Sequence, residues 1–211
     1  MRFLRWSLLC SLVMLTAPGQ AQTLDNLLRA ARNGDASQIL ELLERGAWLD
    51  TVDQDGNTLL MQAIAANENG LADILIGAGA KLDGRNRHGD SALQIAALNG
   101  NRAMAKRLLE TGAHTEQPGW TALHYAAFSG HADIVADLIA HTADVDAIAP
   151  NGASALMLAA RNGHLNVVEA LLRASADLNI RAQDGATAIT WAKQAGNTDI
   201  ADKLLRAGAR E

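Results

Sequence analysis

A segment of about 33 residues recurs through most of this chain. Six copies begin at register positions that lie 33, 33, 30, 33 and 33 residues apart, namely Asp25, Thr58, Ser91, Thr121, Ser154 and Thr187. A segment this short has too little apolar surface to form a core of its own, whereas stacked copies bury a continuous one. The repeat therefore predicts a solenoid rather than a globular domain with one central core.

Each copy has the same internal pattern. The register residue carries a hydroxyl or a carboxylate, which suits the N-cap of a helix. A short Ala-rich segment follows and ends at a glycine, such as Gly100, Gly130 or Gly163, which predicts a helix closed by a left-handed residue. A second segment carries Leu, Ile and Val at three- and four-residue spacing, which predicts an amphipathic helix. Asp-Gly, Asn-Gly or His-Gly then predicts a turn before the next copy.

Residues 121–131, TALHYAAFSGH, resemble the ankyrin repeat, whose period is also 33 residues. The resemblance extends over about residues 24–209. It implies an all-α solenoid of about six stacked helix-turn-helix repeats joined by short β-hairpin loops. It also implies that partners bind along a concave face formed by the hairpin tips and the first helices. The proline that the family keeps after the register Thr is absent here, so we expect the same fold with some loss of local stability.

The first 21 residues have a different pattern. Arg2 and Arg5 precede an apolar run over about residues 8–17, and small residues lead up to Ala21. This pattern predicts a secretory signal peptide that is cleaved between Ala21 and Gln22. The apolar run is shorter than the roughly 20 residues that a membrane span needs. An uncleaved membrane anchor is the alternative.

Cleavage would leave residues 22–211 as the mature ankyrin-repeat domain. It would remove Cys10, the single cysteine, so the domain would have no thiol for a disulfide, a nucleophile or a metal site. It would also remove Arg2 and Arg5 but no acidic residue, which changes the net charge from −5 to −7. An acidic domain disfavours nucleic acid as a partner. We expect a monomeric periplasmic protein without a membrane segment; eukaryotic secretion is the alternative.

The histidines invite a metal or catalytic interpretation. The family resemblance instead implies structural roles for His124, which bonds across a hairpin base, and for His131 and His164, which follow a helix-closing glycine. No nucleophile elbow, phosphate-binding loop or zinc-protease motif is present in the sequence. We therefore expect no enzyme activity, no cofactor and no metal.

Trp120 is the residue that departs most from the repeat. Its position, just before the cap, is filled elsewhere by Asn57, Asp90, Ala153 and Ala186. An exposed Trp is typical of a binding hot spot, and Tyr125 and Phe128 on the next helix would extend its apolar patch. The segment before Trp120 is also three residues shorter than its counterparts, so the ring alternatively fills the gap left by the missing residues.

Other candidate binding residues lie in the turns: Asp53 and Asp55 in one, and Arg85, Arg87 and His88 in the next. Acidic and basic tips in succession would favour a partner of complementary charge. We expect Trp48 and Trp191 to be packing residues near the two ends. Two uses remain open, a scaffold or protective partner of an envelope protein, and an immunity-type inhibitor of a toxin that acts in the periplasm.

Overall fold

The computed structural model describes residues 26–210, apart from residues 28, 31, 32, 34, 46 and 47. The predicted signal peptide, its cleavage site and the register residue Asp25 lie outside the described residues. The described part contains eleven bounded helices, which follow a helical stretch at residues 26, 27, 29 and 30. They are α1 (Ala36–Glu44), α2 (Leu59–Ala65), α3 (Asn69–Gly77), α4 (Ala92–Asn99), α5 (Arg102–Thr111), α6 (Ala122–Ser129), α7 (Ala132–Ala140), α8 (Ala155–Asn162), α9 (Leu165–Arg173), α10 (Ala188–Gln194) and α11 (Thr198–Arg206).

The helices form two stacked rows. The first helices of successive repeats, α2, α4, α6, α8 and α10, pack on one another in chain order, and the second helices α3, α5, α7 and α9 form a parallel row. Each first helix also packs on the second helix of its own repeat. The core is therefore a continuous apolar band between the rows, and the predicted all-α solenoid is confirmed.

Small side chains allow the first helices to approach closely. Ala122, Leu123, Ala126 and Ala127 of α6 are all buried, and the corresponding residues of α4 and α8 are buried too. The second helices contribute larger side chains; on α7 these are Ile134, Val135 and Leu138. The alternation of small and branched residues fills most of the space between the rows, and Trp191 is the aromatic residue that the described core buries.

The register residues cap the first helices as predicted, with one exception. The hydroxyls of Thr58, Ser91, Thr121 and Ser154 each accept a hydrogen bond from the backbone N–H three residues later. The prediction is wrong for Thr187, whose side chain makes no such bond. Its hydroxyl instead lies 3.1 Å from that of Thr190 and 3.5 Å from the carbonyl of Arg210.

Four short hairpins connect the repeats, and we number them one to four: residues 53–57, 86–90, 149–153 and 182–186. In each, the first residue donates its N–H to the carbonyl of the last, over 2.9–3.0 Å. A glycine at the fourth position, Gly56 in hairpin one, has a φ of +80°, which side chains other than glycine adopt only at a cost. Hairpin loops were predicted, and at these four connections the prediction is confirmed.

The shortened segment before Thr121 does not form a hairpin. Residues 114–120 make no backbone hydrogen bond that would close a turn within the described structure. Contacts with the preceding repeat hold the segment instead: the backbone N–H of His114 donates to Asp83 over 3.0 Å, and the guanidinium of Arg85 donates to the carbonyl of Pro118 over 2.6 Å.

Trp48 contradicts its expected packing role, since 81% of its surface is exposed. Its position in the repeat is the one after Gly-Ala, and the residues at that position in all later copies are also exposed: Lys81, His114, Asp144, Asp177 and Arg210. In those later copies the backbone N–H bonds a side chain of the preceding repeat, and the side chain faces solvent. At the other end of the stack, Trp191 is buried as predicted.

Candidate functional site

The first helices present one continuous face away from the second helices. On each first helix the fourth and seventh residues after the cap lie on the same side, because they are three residues apart. These residues are Ile95 and Leu98 on α4, and Tyr125 and Phe128 on α6. Leu98 is 40% exposed and Phe128 is 37% exposed, while Ile95 and Tyr125 are half-buried. The middle of this face is therefore apolar.

Three aromatic side chains meet at the centre of this face, and we call them the aromatic cluster: Trp120, Tyr125 and Phe128. The ring centroid of Trp120 lies 5.3 Å from that of Tyr125, in a tilted arrangement. It lies 5.8 Å from that of Phe128, in an edge-to-face arrangement. Both distances fall in the range of favourable aromatic pairs. The sequence hypothesis that these residues form one patch thus agrees with their positions.

Trp120 has features both of an exposed binding residue and of a ring that fills the gap left by the shortened segment. Its side chain packs against the core but is only half-buried. Its carbonyl accepts a hydrogen bond from the side chain of Gln94, so the backbone at this position is fixed to the preceding repeat. The ring thus rests on α6 with one side covered, and part of its surface stays open to solvent.

Tyr125 connects the aromatic cluster to hairpin two. Its hydroxyl donates to a carboxylate oxygen of Asp90 over 2.7 Å. Burial and the bonded carboxylate of Asp90 raise the pKa of Tyr125 above its ordinary value, so the side chain stays neutral and keeps donating. This bond fixes the cluster relative to the tip of the preceding hairpin.

The basic candidates lie on hairpin two or immediately before it. The side chain of Arg85 is held in one position by hydrogen bonds, because its guanidinium donates to the carbonyls of both Gly89 and Pro118. Arg87 and His88 are exposed at the tip, and their side chains make no hydrogen bond or ion pair within the described structure. Hairpin two thus carries an exposed guanidinium at its tip, on a side chain that lies close to Gly56 of hairpin one.

The acidic candidates serve the geometry of hairpin one. Asp53 accepts hydrogen bonds from the backbone N–H of Asp55, over 3.0 Å, and from that of Asn57, over 2.8 Å. Asp55 is exposed, and its carbonyl accepts from the backbone N–H of Arg87. These two residues lie one hairpin away from the aromatic cluster, and the structure does not bring them to it.

The histidines take the structural positions that the resemblance implied. His124 is fully buried; its Nδ1 accepts from the Thr121 backbone N–H, and its Nε2 lies 3.1 Å from the carbonyl of Ala153. Burial lowers the pKa of His124, which favours the neutral ring. The rings of His131 and His164 lie against the helix-closing glycines of the preceding repeats. No group of three or more metal-ligating side chains occurs within the described residues.

The sequence-based prediction missed two parts of the first-helix face. Ile95 and Leu98 extend the apolar area towards the N-terminal repeats, and the register of Tyr125 and Phe128 would have revealed them. At the other end, the guanidinium of Arg161 lies 4.8 Å above the ring of Trp191, within cation–π distance. This pair borders a groove of about 340 Å³.

A larger groove of about 530 Å³ lies behind the shortened segment, between the ends of α5 and α7. Thr115 lines it at a position where four other repeats carry an apolar residue that packs against the core, namely Leu49, Leu82, Val145 and Leu178. The missing apolar side chain accounts for the open space. None of the helices in the described part of the chain is long and apolar enough to cross a membrane.

Comparison with known proteins agrees with this architecture. The family model for ankyrin repeats, in sets of three copies, matches residues 27–118, 64–149, 114–184 and 143–210. A putative ankyrin repeat protein of Rickettsia bellii is 33% identical over 62% of this chain, which corresponds to 41% of that protein. The Notch-regulated ankyrin repeat-containing protein B of Danio rerio is 46% identical over 24% of this chain and 49% of that protein. The chain thus spans less than half the length of these two relatives.

Solved structures resemble the whole stack. An ankyrin repeat domain from Acinetobacter baumannii superimposes with a TM-score of 0.79 at 33% identity, covering 87% of this chain and 98% of that domain. A second ankyrin repeat protein gives a TM-score of 0.78 at 31% identity, covering 89% of this chain and 98% of that structure. The family model covers nearly all of the described residues, and the chain belongs to the ankyrin-repeat family.

Proposed function

We propose that this chain is a non-catalytic binding module, exported to a bacterial periplasm, that holds a protein partner on its first-helix face. The family's general role in protein–protein interaction supports the coarse statement. The N-terminal pattern of basic residues, apolar run and small residues before Gln22 supports export.

The observation on which the proposal rests is that the aromatic cluster is only partly buried, so some of its apolar surface is open to solvent. Trp120 stands where the other repeats have a small or polar residue, so the fold does not require it there. Phe128 beside it, and Ile95 and Leu98 on the neighbouring helix α4, add further apolar surface that is exposed or half-buried. Surfaces of this kind are typical of binding sites, and aromatic residues near their centre carry much of the binding energy.

Co-purification tests the proposal. The tagged full-length chain, expressed in its native bacterium, should be recovered from the periplasmic fraction starting at Gln22 and with a stoichiometric protein partner. Trp120→Ala should lower the partner's affinity by roughly 30-fold, the loss typical of an aromatic hot spot. Leu205→Ala is the matched control, because Leu205 is 46% exposed but lies on α11, a second helix.

The activity of the captured partner also distinguishes a scaffold or protective partner from an immunity-type inhibitor. A scaffold or protective partner leaves the bound envelope protein active, whereas an immunity-type inhibitor silences one cognate toxin at roughly nanomolar affinity. Recovery of intact Met1 in the cytosol would contradict export. Equal capture by wild type and Trp120→Ala would contradict the assigned surface.

A further inference from the structure

Side chains of the preceding repeat hold both ends of the shortened segment. Near its start, Asp83 accepts hydrogen bonds from the backbone N–H of His114 over 3.0 Å and from the side-chain amide of Gln117 over 3.3 Å. At its end, the side chain of Gln94 donates to the carbonyl of Trp120. Both anchors also serve the fold. The bond from Asp83 to a backbone N–H recurs along the base of the stack, and Gln94 also accepts from the backbone N–H of the residue that caps α4.

The middle of the segment has a third anchor, the side chain of Arg85. Its guanidinium donates to the carbonyl of Gly89 over 2.7 Å and to that of Pro118 over 2.6 Å, so it bridges hairpin two and the segment. The guanidinium lies across Gly89, where an added Cβ would stand 3.0 Å from its nearest nitrogen. Gly89 has a φ of +86°, and it thus provides both the turn and the room for the guanidinium.

This bridge is not part of the repeat. The residue just before the hairpin is Val52 in hairpin one and Ile148 in hairpin three, and neither side chain can donate a hydrogen bond. Arg181 precedes hairpin four and donates to the carbonyl of Gly185 over 2.8 Å, as Arg85 does to the glycine of hairpin two. A Cβ on Gly185 would meet no atom within 4 Å, so the guanidinium of Arg181 does not lie across its glycine. The hairpins therefore close without a bridge of this kind.

The position of Trp120 depends on the bridge because Gly119 separates it from Pro118. Gly119 has a φ of +98°, and a Cβ there would meet no atom within 4 Å. A glycine in open space leaves the backbone free to turn, so a restraint on Trp120 from this side has to act on the residue before the glycine. Arg85 holds the carbonyl of Pro118 before Gly119, and Gln94 holds the carbonyl of Trp120 after it.

Resting on the function proposed above, we infer that Arg85 is a positioning residue of the binding surface. It acts through Trp120 and not on the partner: by bridging hairpin two and Pro118, it keeps the shortened segment in the arrangement in which the ring meets the partner. Ordering a flexible segment during binding costs affinity, so a segment that is ordered beforehand gives tighter binding.

Backbone dynamics test the positioning directly. In ¹⁵N-labelled protein, the {¹H}–¹⁵N NOE of the Gly119 and Trp120 amides reports motion on the picosecond-to-nanosecond timescale. Arg85→Met, which cannot donate to the carbonyls, should lower both values. Arg181→Met is the matched control, because it removes the same charge and a bond to the corresponding glycine carbonyl, and it should leave both values unchanged. Unchanged values in Arg85→Met, or equal losses in the two variants, would overturn the inference.

Thermal unfolding checks that the variants are folded. Both arginines are exposed and lie outside the helices, so each variant should melt within about 2 °C of wild type. A large drop in the melting temperature of Arg85→Met alone would show that the bridge supports the whole stack and not the segment, which overturns the positioning role.

A double-mutant cycle separates positioning from direct contact with the partner. The probe is the purified protein that co-purifies with wild type. Arg85→Met should weaken its binding by roughly three- to tenfold, the cost of ordering the segment during binding. In the Trp120→Ala background the same substitution should change the affinity by less than about twofold, because Arg85 acts through Trp120. Equal losses in both backgrounds would show that Arg85 contacts the partner itself, and would overturn the inference.

These measurements keep this inference distinct from the proposed function. If wild type captures no protein, the proposed function fails, and the NOE values alone decide whether Arg85 positions the segment. If Arg85→Met loosens the segment without weakening the partner's binding, the proposed function stands and the inference fails.

Discussion

Three residues other than glycine hold a left-handed backbone within the described part of the chain: Asn67, Thr142 and Ser175. Thr142, with a φ of +65°, follows the end of α7, at the position that Gly79 and Gly112 occupy in other repeats. A β-branched side chain is strained there, because its Cβ approaches the following carbonyl. The fold accepts this strain where the family pattern would place glycine.

Thr142→Gly should therefore stabilise the protein, by about 0.5–1 kcal/mol, since relief of the strain outweighs the added freedom of the unfolded chain. Urea unfolding measures the change. Thr111→Gly is the matched control: Thr111 ends α5 with ordinary helical geometry and donates to the carbonyl of Arg107. That variant should lose about 1 kcal/mol. A loss of stability in Thr142→Gly would show that its backbone is not strained.

His124 gives the fold a pH dependence. Burial lowers its pKa in the folded state below the unfolded value of about 6.5. The unfolded state then binds more protons at acidic pH, so this contribution to stability is complete above about pH 6.5 and is lost as the pH falls below it. The largest possible slope is about 1.4 kcal/mol per pH unit.

His124→Gln should remove that slope while keeping the fold. Gln94 occupies the same position in the preceding repeat, where its side chain accepts from the backbone N–H of Ser91. The free energy of unfolding, measured from pH 7 to pH 5, should fall more steeply for wild type than for the variant. Parallel curves would mean that His124 does not remain neutral in the fold. The exposed histidines are present in both proteins, so they cancel.

Trp48 shows what sequence reasoning missed at the level of single residues. A tryptophan near a chain end suggests packing, but the later residues at its register position are polar or charged, and this pattern already indicated exposure. Thr187 shows the converse: its register predicts a capping hydrogen bond, but its hydroxyl contacts that of Thr190 and the carbonyl of Arg210 instead. The first error was avoidable from the repeat, whereas the second depends on a tertiary contact.

The helices themselves were predictable because each boundary has a local cause. Caps such as Ser91 and closing glycines such as Gly100, with a φ of +71°, recur at fixed offsets. The path of segment 114–120 was not predictable, since three missing residues can be accommodated in several ways. Its actual path depends on bonds to side chains of the preceding repeat, Asp83 and Arg85.

Leu123→Ala tests the register of the first helices. Leu123 is fully buried on α6, so the truncation should cost about 2–5 kcal/mol of unfolding free energy. Leu98→Ala on α4 is the control; because Leu98 is partly exposed, it should cost about 1 kcal/mol or less. Chemical denaturation of both variants measures the difference. Similar losses at the two positions would place α6 in the wrong register.

Repetition at the scale of the whole molecule explains both the fold and its interruption. Side chains at one recurring position bond the backbone N–H of the next repeat, as Asp50 bonds Lys81 over 2.9 Å and Asp146 bonds Asp177 over 2.8 Å. These bonds continue through the shortened repeat, where Glu116 bonds Asp144 over 3.0 Å. The stack is thus continuous at its base, while the row of hairpin tips is divided next to the aromatic cluster.

Site-specific photo-cross-linking in living cells that express the protein natively tests the central claim, that the aromatic cluster contacts a protein partner. A benzophenone amino acid replaces Phe128 in one strain and Leu205 in another, since both side chains are exposed but lie on opposite helix rows. The account predicts a discrete cross-linked species from position 128 and none of that mass from position 205. Cross-linking from position 205 alone, or equally from both positions, would contradict it.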